Sequence, residues 1–288
     1  MNTTIKDWKA GLIGKGIGAS LTPAMHMREG ARQGLDYHYE LIDVAQMAEP
    51  APAIDALLRD AEVRGLHGLN ITHPFKQQIL PFLDEISEDA AALGAVNTVI
   101  LRDGKSIGHN TDWWGFSESF QIGLPIADLK SVVQLGAGGA GAATAYAILK
   151  LGANRLTVFD PDRSKVDALL AALQLVFPNA ELKVGKDIAH AMGEATGLIH
   201  ATPTGMASYP GLPLPAELIQ ARHWVAEVVY FPLETELLRV AKDKGCAVLN
   251  GGGMAVYQAV GAFQHFTGLQ ADRQSMLQHF LELTGQSA

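Results

Sequence analysis

At 288 residues the chain exceeds one ordinary single-core domain and suits two. Its 48% hydrophobic and 18% charged residues exclude a disordered chain. With 22 basic against 30 acidic residues the formal charge is −8, which argues against nucleic acid or an anionic membrane as partner but leaves room for a local cationic pocket.

In chain order, residues 8–13 predict a strand, and residues 23–35 a helix with Pro23 near its first turn. Period-two alternation through Tyr37, Tyr39 and Leu41 predicts a strand over 37–44. Residues 51–63 read as a helix, 65–72 as a strand and 74–86 as an amphipathic helix. A hairpin follows, with 96–101 paired to 106–108 across Asp103-Gly104. Such alternation predicts an α/β fold, a mostly parallel sheet covered by helices.

A connecting helix over 113–121 is broken by Gly123-Leu124-Pro125. Strand 131–135, helix 142–151 and strand 155–159 come next, then helix 164–177, strand 181–184 and the apolar run 197–202. A strand over 223–230, a helix over 235–244 and a strand over 247–250 complete this region. The tail, 254–266 and 273–283, is purely helical and carries too little apolar surface to fold alone, so it should return onto one domain. The single cysteine, Cys246, lies in an apolar run and reads as core. No signal-peptide run opens the chain and no apolar run reaches membrane-spanning length, so the expectation is a cytoplasmic protein.

The most informative segment is Gly136-Ala137-Gly138-Gly139-Ala140-Gly141, set between a strand and a helix. The first glycine allows a tight turn, the second lets a pyrophosphate approach the backbone, and the third lets the helix pack on the strand. Asp160 ends the next strand, 19 residues beyond Gly141, about where an acid meets the ribose hydroxyls of a dinucleotide. Strand, glycine turn, helix, strand and acid in this order predict a nicotinamide dinucleotide site.

A nicotinamide cofactor transfers hydride, so another part of the chain must move a proton. Asn70-Ile71-Thr72-His73-Pro74-Phe75-Lys76 ends a strand and starts the expected helix. A lysine in a first helical turn opposes the helix dipole, which suggests selection for something else; a solvated surface lysine is the plain alternative. Gly108-His109-Asn110-Thr111-Asp112 lies at the expected domain junction. Asp112 there suits either an ion pair with Lys76 or a helix N-cap, with Thr111 as the other candidate cap. Ser20-Leu21-Thr22-Pro23 places hydroxyls before a helix start, suited to a carboxylate or to simple capping. The ten histidines and one cysteine show no metal-ligand spacing, so no metal is expected. Serine-hydrolase and Walker-type phosphate motifs are absent from the sequence.

Taken together, the chain resembles the shikimate dehydrogenase family. The resemblance rests on residues 20–26, 70–76, 94–98, 110–112, 136–141, 201–206 and 253–258, in the family's order. It implies Lys76 and Asp112 as the catalytic pair and Ser20 and Thr22 as holders of a substrate carboxylate. Thr72, Asn97, Asp112 and Gln258 would meet ring hydroxyls, with Tyr230 nearby. Gly136, Gly138, Gly139, Ala140, Gly141, Asp160, Arg163, Thr202 and Gly253 would form the cofactor site. The implied fold is an α/β substrate domain, residues 1–112 with 251–288, and a doubly wound Rossmann domain over 113–250.

Departures from the biosynthetic pattern narrow the reading. NADP-preferring members carry a basic turn where this chain has Asp160-Pro161-Asp162-Arg163-Ser164-Lys165. Two carboxylates there would repel a 2′-phosphate, so NAD is the expected cofactor, with NADP the alternative that Arg163 and Lys165 favour. Thr22 stands where a second serine is common, and Tyr230-Phe231-Pro232-Leu233-Glu234-Thr235-Glu236 resembles NAD-dependent quinate/shikimate dehydrogenases. Trp113-Trp114 and Asn250-Gly251-Gly252-Gly253 leave the ring open among shikimate, quinate and an amino analogue. The expected partner is a small carboxylic acid, and the expected state a monomer or homodimer. An NAD-binding protein without turnover is the reading from another class, which the presence of both Lys76 and Asp112 disfavours.

Overall fold

The computed structural model describes residues 7–285. Its contacts divide the chain into two compact units, one holding residues up to Thr111 and from Gln258, the other Asp112–Tyr257.

The first unit is built on strands β1 (Asp7–Gly14), β2 (Asp36–Asp43), β3 (Gly68–Ile71), β4 (Glu85–Ile86), β5 (Thr98–Arg102) and β6 (Lys105–His109). They form one sheet in the order β2-β1-β3-β5-β6-β4. β2, β1 and β3 run parallel, β5 and β6 pair antiparallel, and β4 runs parallel to β6. The hairpin turn is Asp103-Gly104, both at positive φ, as a two-residue turn of right-handed strands requires. Helices α1 (Thr22–Arg32), α2 (Ile54–Val63) and α3 (Glu88–Leu93) accompany the sheet. Ile13, Leu57, Leu69, Ile71, Ile79 and Val99 belong to one core cluster that α2 shares with the strands.

The second unit starts inside α4 (Thr111–Gly123). Strands β7 (Ser131–Leu135), β8 (Arg155–Phe159), β9 (Glu181–Val184), β10 (Gly197–His200), β11 (Trp224–Glu227) and β12 (Ala247–Leu249) alternate with helices. These helices are α5 (Gly139–Lys150), α6 (Arg163–Val176), α7 (Ile188–Glu194) and α8 (Glu236–Asp243). The sheet order is β12-β11-β10-β7-β8-β9, parallel throughout, the doubly wound arrangement. Its central strands are buried on both faces, which explains why they read as continuous apolar runs.

The chain re-enters the first unit within α9 (Gly252–Thr267) and ends in α10 (Arg273–Leu283). Phe263 and Phe266 of α9 lie against His26, and a Cβ on Gly68 would fall 2.1 Å from the Phe266 ring. Glu29 of α1 accepts the Asp272 amide at 2.9 Å and pairs with Arg32 and Gln33, which seats α10 against α1.

One expected element is absent. Residues 74–86 form turns, a single 3₁₀ turn at Leu80–Phe82 and the short strand β4, not an amphipathic helix. Pro81 lacks the amide a helix needs and disfavours helical geometry at Leu80. Conversely α3 and α7 were not anticipated; Ser87 and Asp187 cap them through their side chains.

Candidate active site

In the second unit the turn from β7 into α5 is built around missing side chains. Gly136 sits at φ +105°, and a Cβ there would lie 2.4 Å from the Ala201 carbonyl oxygen. A Cβ on Gly141 would lie 2.3 Å from the Gly136 carbonyl oxygen. Gly138 and Gly139 are exposed, with nothing within 4 Å of a Cβ at either position. The N-terminus of α5 has no side-chain cap. Open space over an uncapped helix start fits a pyrophosphate, whose charge the aligned amides and helix dipole favour.

Gln134, fully buried in β7, staples this turn. Its Nε2 donates to the Gly136 and Gly141 carbonyls at 2.9 and 2.7 Å, and its Oε1 accepts from Thr144 at 3.0 Å. The sequence offered one signal for it, a polar residue inside an otherwise apolar buried strand.

Asp160 follows β8 beside the same turn. Its Oδ2 accepts the Ala137 amide at 2.8 Å and its Oδ1 the Asp162 amide at 2.9 Å. The neighbouring cations are engaged: Arg163 pairs with Asp167 at 3.0 Å and Lys165 lies 3.8 Å from Asp162. Hydrogen bonds from the Ser164 hydroxyl and amide hold the Asp162 carboxyl below its usual range, so Asp162 stays anionic as the cap of α6. Thr202 borders the turn from β10, its methyl 3.1 Å from where a Gly136 Cβ would be. Gly253 packs elsewhere in this unit, against Ser119 of α4, with no room for a side chain. Tyr230 is partly exposed after β11, and Asp112 is buried in the first turn of α4.

In the first unit Ser20 follows the carboxyl end of β1, and Thr72 and Lys76 follow that of β3, positions at which open α/β sheets bind ligands. Asp43 ends β2 and accepts the Gly16 and Ile17 amides at 2.8 and 3.0 Å, clamping the loop after β1. Partial desolvation opposes its ionisation, yet the amides of Gly16, Ala45 and Ile17 together hold its carboxyl below the ordinary range. That loop carries Ser20, whose hydroxyl accepts the Thr22 amide at 3.3 Å. Thr22 is the first residue of α1, and both hydroxyl residues are half-buried. Thr72 follows β3, its methyl 2.4 Å from where a Gly14 Cβ would be, so Gly14 must lack a side chain.

Lys76 is half-buried in the turns after β3, and its carbonyl accepts the Val96 amide at 2.9 Å. The helix-dipole reasoning for Lys76 therefore does not apply, because no helix starts there. Asn97, which precedes β5, accepts the amide of Thr111, the first residue of α4, through Oδ1 at 2.7 Å. Asn97 also donates to the Thr111 hydroxyl at 3.0 Å.

Behind Asn97 runs a buried polar chain that local sequence patterns do not disclose. The Tyr39 hydroxyl donates to Asn70 Oδ1 at 2.8 Å, and Asn70 Nδ2 donates to the Asn97 carbonyl and the Thr98 hydroxyl at 3.2 and 3.3 Å. The Thr98 hydroxyl in turn reaches Asn97 Oδ1 at 2.9 Å. Fully partnered polar groups of this kind fix rotamers, and so fix where Asn97 holds Thr111. Gln258 is half-buried in the part of α9 that belongs to this unit.

At the opposite, amino end of β1 and β2, exposed Asp7, Asp36 and His38 bring ligand atoms within 4.8 Å of one another, an arrangement set by parallel pairing of Asp7 with Asp36. Among the described residues no helix is long and apolar enough to cross a membrane.

Known proteins match these two units. Residues 12–99 match the family model described as the shikimate dehydrogenase substrate binding domain. A shikimate dehydrogenase (NADP(+)) of Streptomyces avermitilis is 53% identical over 287 residues, 99% of each chain. A quinate/shikimate dehydrogenase (NAD(+)) of Corynebacterium glutamicum is 46% identical over 95% of this chain and 98% of that protein. The solved quinate dehydrogenase of Corynebacterium glutamicum, in complex with NAD, superposes with a TM-score of 0.93 at 44% identity, covering 96% of this chain and 100% of that one. With a glycine turn open for a pyrophosphate and relatives aligned along nearly its whole length, the chain belongs to the shikimate dehydrogenase family.

Proposed function

We propose that this protein is a shikimate or quinate dehydrogenase that prefers NAD, with Lys76 and Asp112 as its proton-relay pair. The Asp112–Tyr257 unit is its dinucleotide-binding domain and the remainder its substrate domain. Bound over Gly138 and Gly139, a nicotinamide dinucleotide supplies the hydride acceptor. Ser20 and Thr22 hold the substrate carboxylate, while Thr72, Asn97, Tyr230 and Gln258 orient the ring. The Lys76 amine takes up the proton of the reacting hydroxyl, and Asp112 orients that hydroxyl and the ammonium group so formed.

The observation that carries the cofactor preference is Asp160. Its carboxylate stands against the Ala137 amide in the glycine turn, where a 2′-phosphate would meet like charge at close range. A free 2′-hydroxyl can instead donate to it. Arg163, a cation beside this turn, is engaged by Asp167 at 3.0 Å. The NADP reading draws on the name of the Streptomyces avermitilis relative, at 53% identity; the NAD reading draws on the Corynebacterium glutamicum proteins.

Initial rates for shikimate and quinate, each with NAD and with NADP, decide between them. Faster turnover with NAD on either acid, and a selectivity that relaxes in Asp160→Ala, is the expected result. Unchanged selectivity in that variant overturns the role of Asp160. Absence of turnover in all four combinations overturns the proposed activity.

A further inference from the structure

His200 ends β10 and Glu227 ends β11, the neighbouring strand, and both side chains are completely buried. A buried carboxylate is costly unless its lone pairs are occupied. Glu227 meets that condition with donors alone. Oε1 accepts the Val228 and Val229 amides at 2.9 and 3.0 Å, and Oε2 accepts the Thr235 hydroxyl at 3.1 Å. His200 Nδ1 lies 2.9 and 3.0 Å from the two oxygens. An acceptor-only carboxylate requires a proton on Nδ1, and in the tautomer that carries its single proton there Nε2 is an acceptor. Thr202 Oγ1 lies 2.5 Å from Nε2, and toward that tautomer the Thr202 hydroxyl donates inward and its oxygen keeps its lone pairs. One of these faces the Thr204 amide, at 3.3 Å.

Position gives this chain of contacts its consequence. The segment Ala201-Thr202 is what a side chain on Gly136 would strike, so Thr202 forms a wall of the dinucleotide turn. Thr235 also accepts the Leu238 amide at 3.3 Å and caps α8. Glu227 thus ties together the end of β11, the start of α8 and, through His200, the loop after β10. That carboxyl edge of the sheet is where the cofactor is proposed to lie.

We infer that His200 carries its single proton on Nδ1 toward Glu227 and that the two are positioning residues for the cofactor, fixing the Thr202 hydroxyl as a hydrogen-bond acceptor toward the bound dinucleotide. The inference rests on the assignment of this unit to NAD. A cofactor donor such as a ribose hydroxyl or the carboxamide NH₂ then finds a ready acceptor, and a cofactor acceptor does not.

The test begins with the unaltered protein. Long-range ¹⁵N–¹H spectra of ¹⁵N-histidine-labelled protein should show His200 protonated at Nδ1 and bare at Nε2; the reverse tautomer, or a ring protonated at both nitrogens, overturns the inference. NAD affinity is then measured by equilibrium titration for Thr202→Val, His200→Phe and the double variant. Loss of one neutral hydrogen bond corresponds to about a tenfold rise in Kd for each single variant. Because His200 acts on the cofactor only through the Thr202 hydroxyl, the double variant should be no weaker than about twofold beyond Thr202→Val alone. The substrate KM should hold within about twofold at saturating NAD, a split that general loosening of the fold would not produce. Thr202→Ser keeps the hydroxyl and should restore binding. If the unaltered protein does not bind NAD, the cofactor assignment fails. If it binds and Thr202→Val binds equally well, the positioning role alone fails.

Discussion

Under the proposed function, the two sheets would hold their small molecules in different ways. The all-parallel sheet of the second unit offers main chain: a turn of glycines, an uncapped helix start and side chains such as Gln134 that brace the backbone from behind. The mixed sheet of the first unit offers side chains: Ser20, Thr22, Thr72 and Asn97, held by the loop clamp of Asp43 and the chain from Tyr39 through Asn70 to Thr98. A phosphate diester asks only for amides and space. A ring with several hydroxyls needs donors and acceptors at fixed positions, which well-held side chains can supply.

The sharpest way to separate the two is Lys76→Ala. Turnover should fall roughly 10²–10⁴-fold, the worth of a positioned proton-transfer group, while NAD affinity stays within about twofold. Steady-state rates with a parallel binding titration read both numbers, and unchanged turnover removes Lys76 from the mechanism. Gly136→Ala should do the converse. The added methyl meets the Ala201 carbonyl at a strained φ, a conflict of about 1–3 kcal/mol, so NAD Kd rises by one to two orders of magnitude while substrate KM holds. An NAD affinity equal to that of the unaltered protein contradicts a tight turn at this site.

Asn70→Ala tests the first unit's buried chain. It strands the Tyr39 hydroxyl and should cost about 1–3 kcal/mol in urea denaturation, leaving NAD Kd unchanged. No loss of stability would mean the chain is decoration around an already rigid site.

The smallest effect concerns acid. His26 is buried among Tyr37, Tyr39, Phe263 and Phe266, with Nε2 lacking a partner, and burial lowers its pKa from 6.5 to about 3. The unfolded chain therefore takes up the proton first. Stability is fully present above pH 6.5 and declines as pH falls toward about 3. His265, lowered to about 4 by burial first and His109 second, acts with the same sign. His26→Phe should thus shrink, not abolish, the loss of urea midpoint between pH 7 and 5. An unaltered slope would locate the acid sensitivity elsewhere.

How much of this was legible in the sequence follows the same division. Gly136 and Gly141 stand out because backbone geometry leaves a local mark: a glycine in a turn after an apolar strand can be read within a window of six residues. The second unit's strands were legible for a related reason, since burial on both faces makes uninterrupted apolar runs. In the first unit, periodicity overlooked Pro81 and predicted a helix where the chain turns. Asn97 accepting the first amide of a helix fourteen residues away, and His200 meeting Glu227 across a strand pair, leave no periodic trace. Such contacts are made by sheet register, and register is decided by the whole sheet.

The discontinuous first unit carries a consequence for synthesis. Phe266 covers Gly68, so the face of β3 is completed by a residue made nearly two hundred positions later. The Asp112–Tyr257 unit is contiguous and can close as soon as it leaves the ribosome. At translation rates of about 5–20 residues per second, the early strands wait on the order of ten seconds before α9 and α10 arrive. During that interval the apolar surface beside Tyr37 and Tyr39 is open to chaperones or to neighbouring chains.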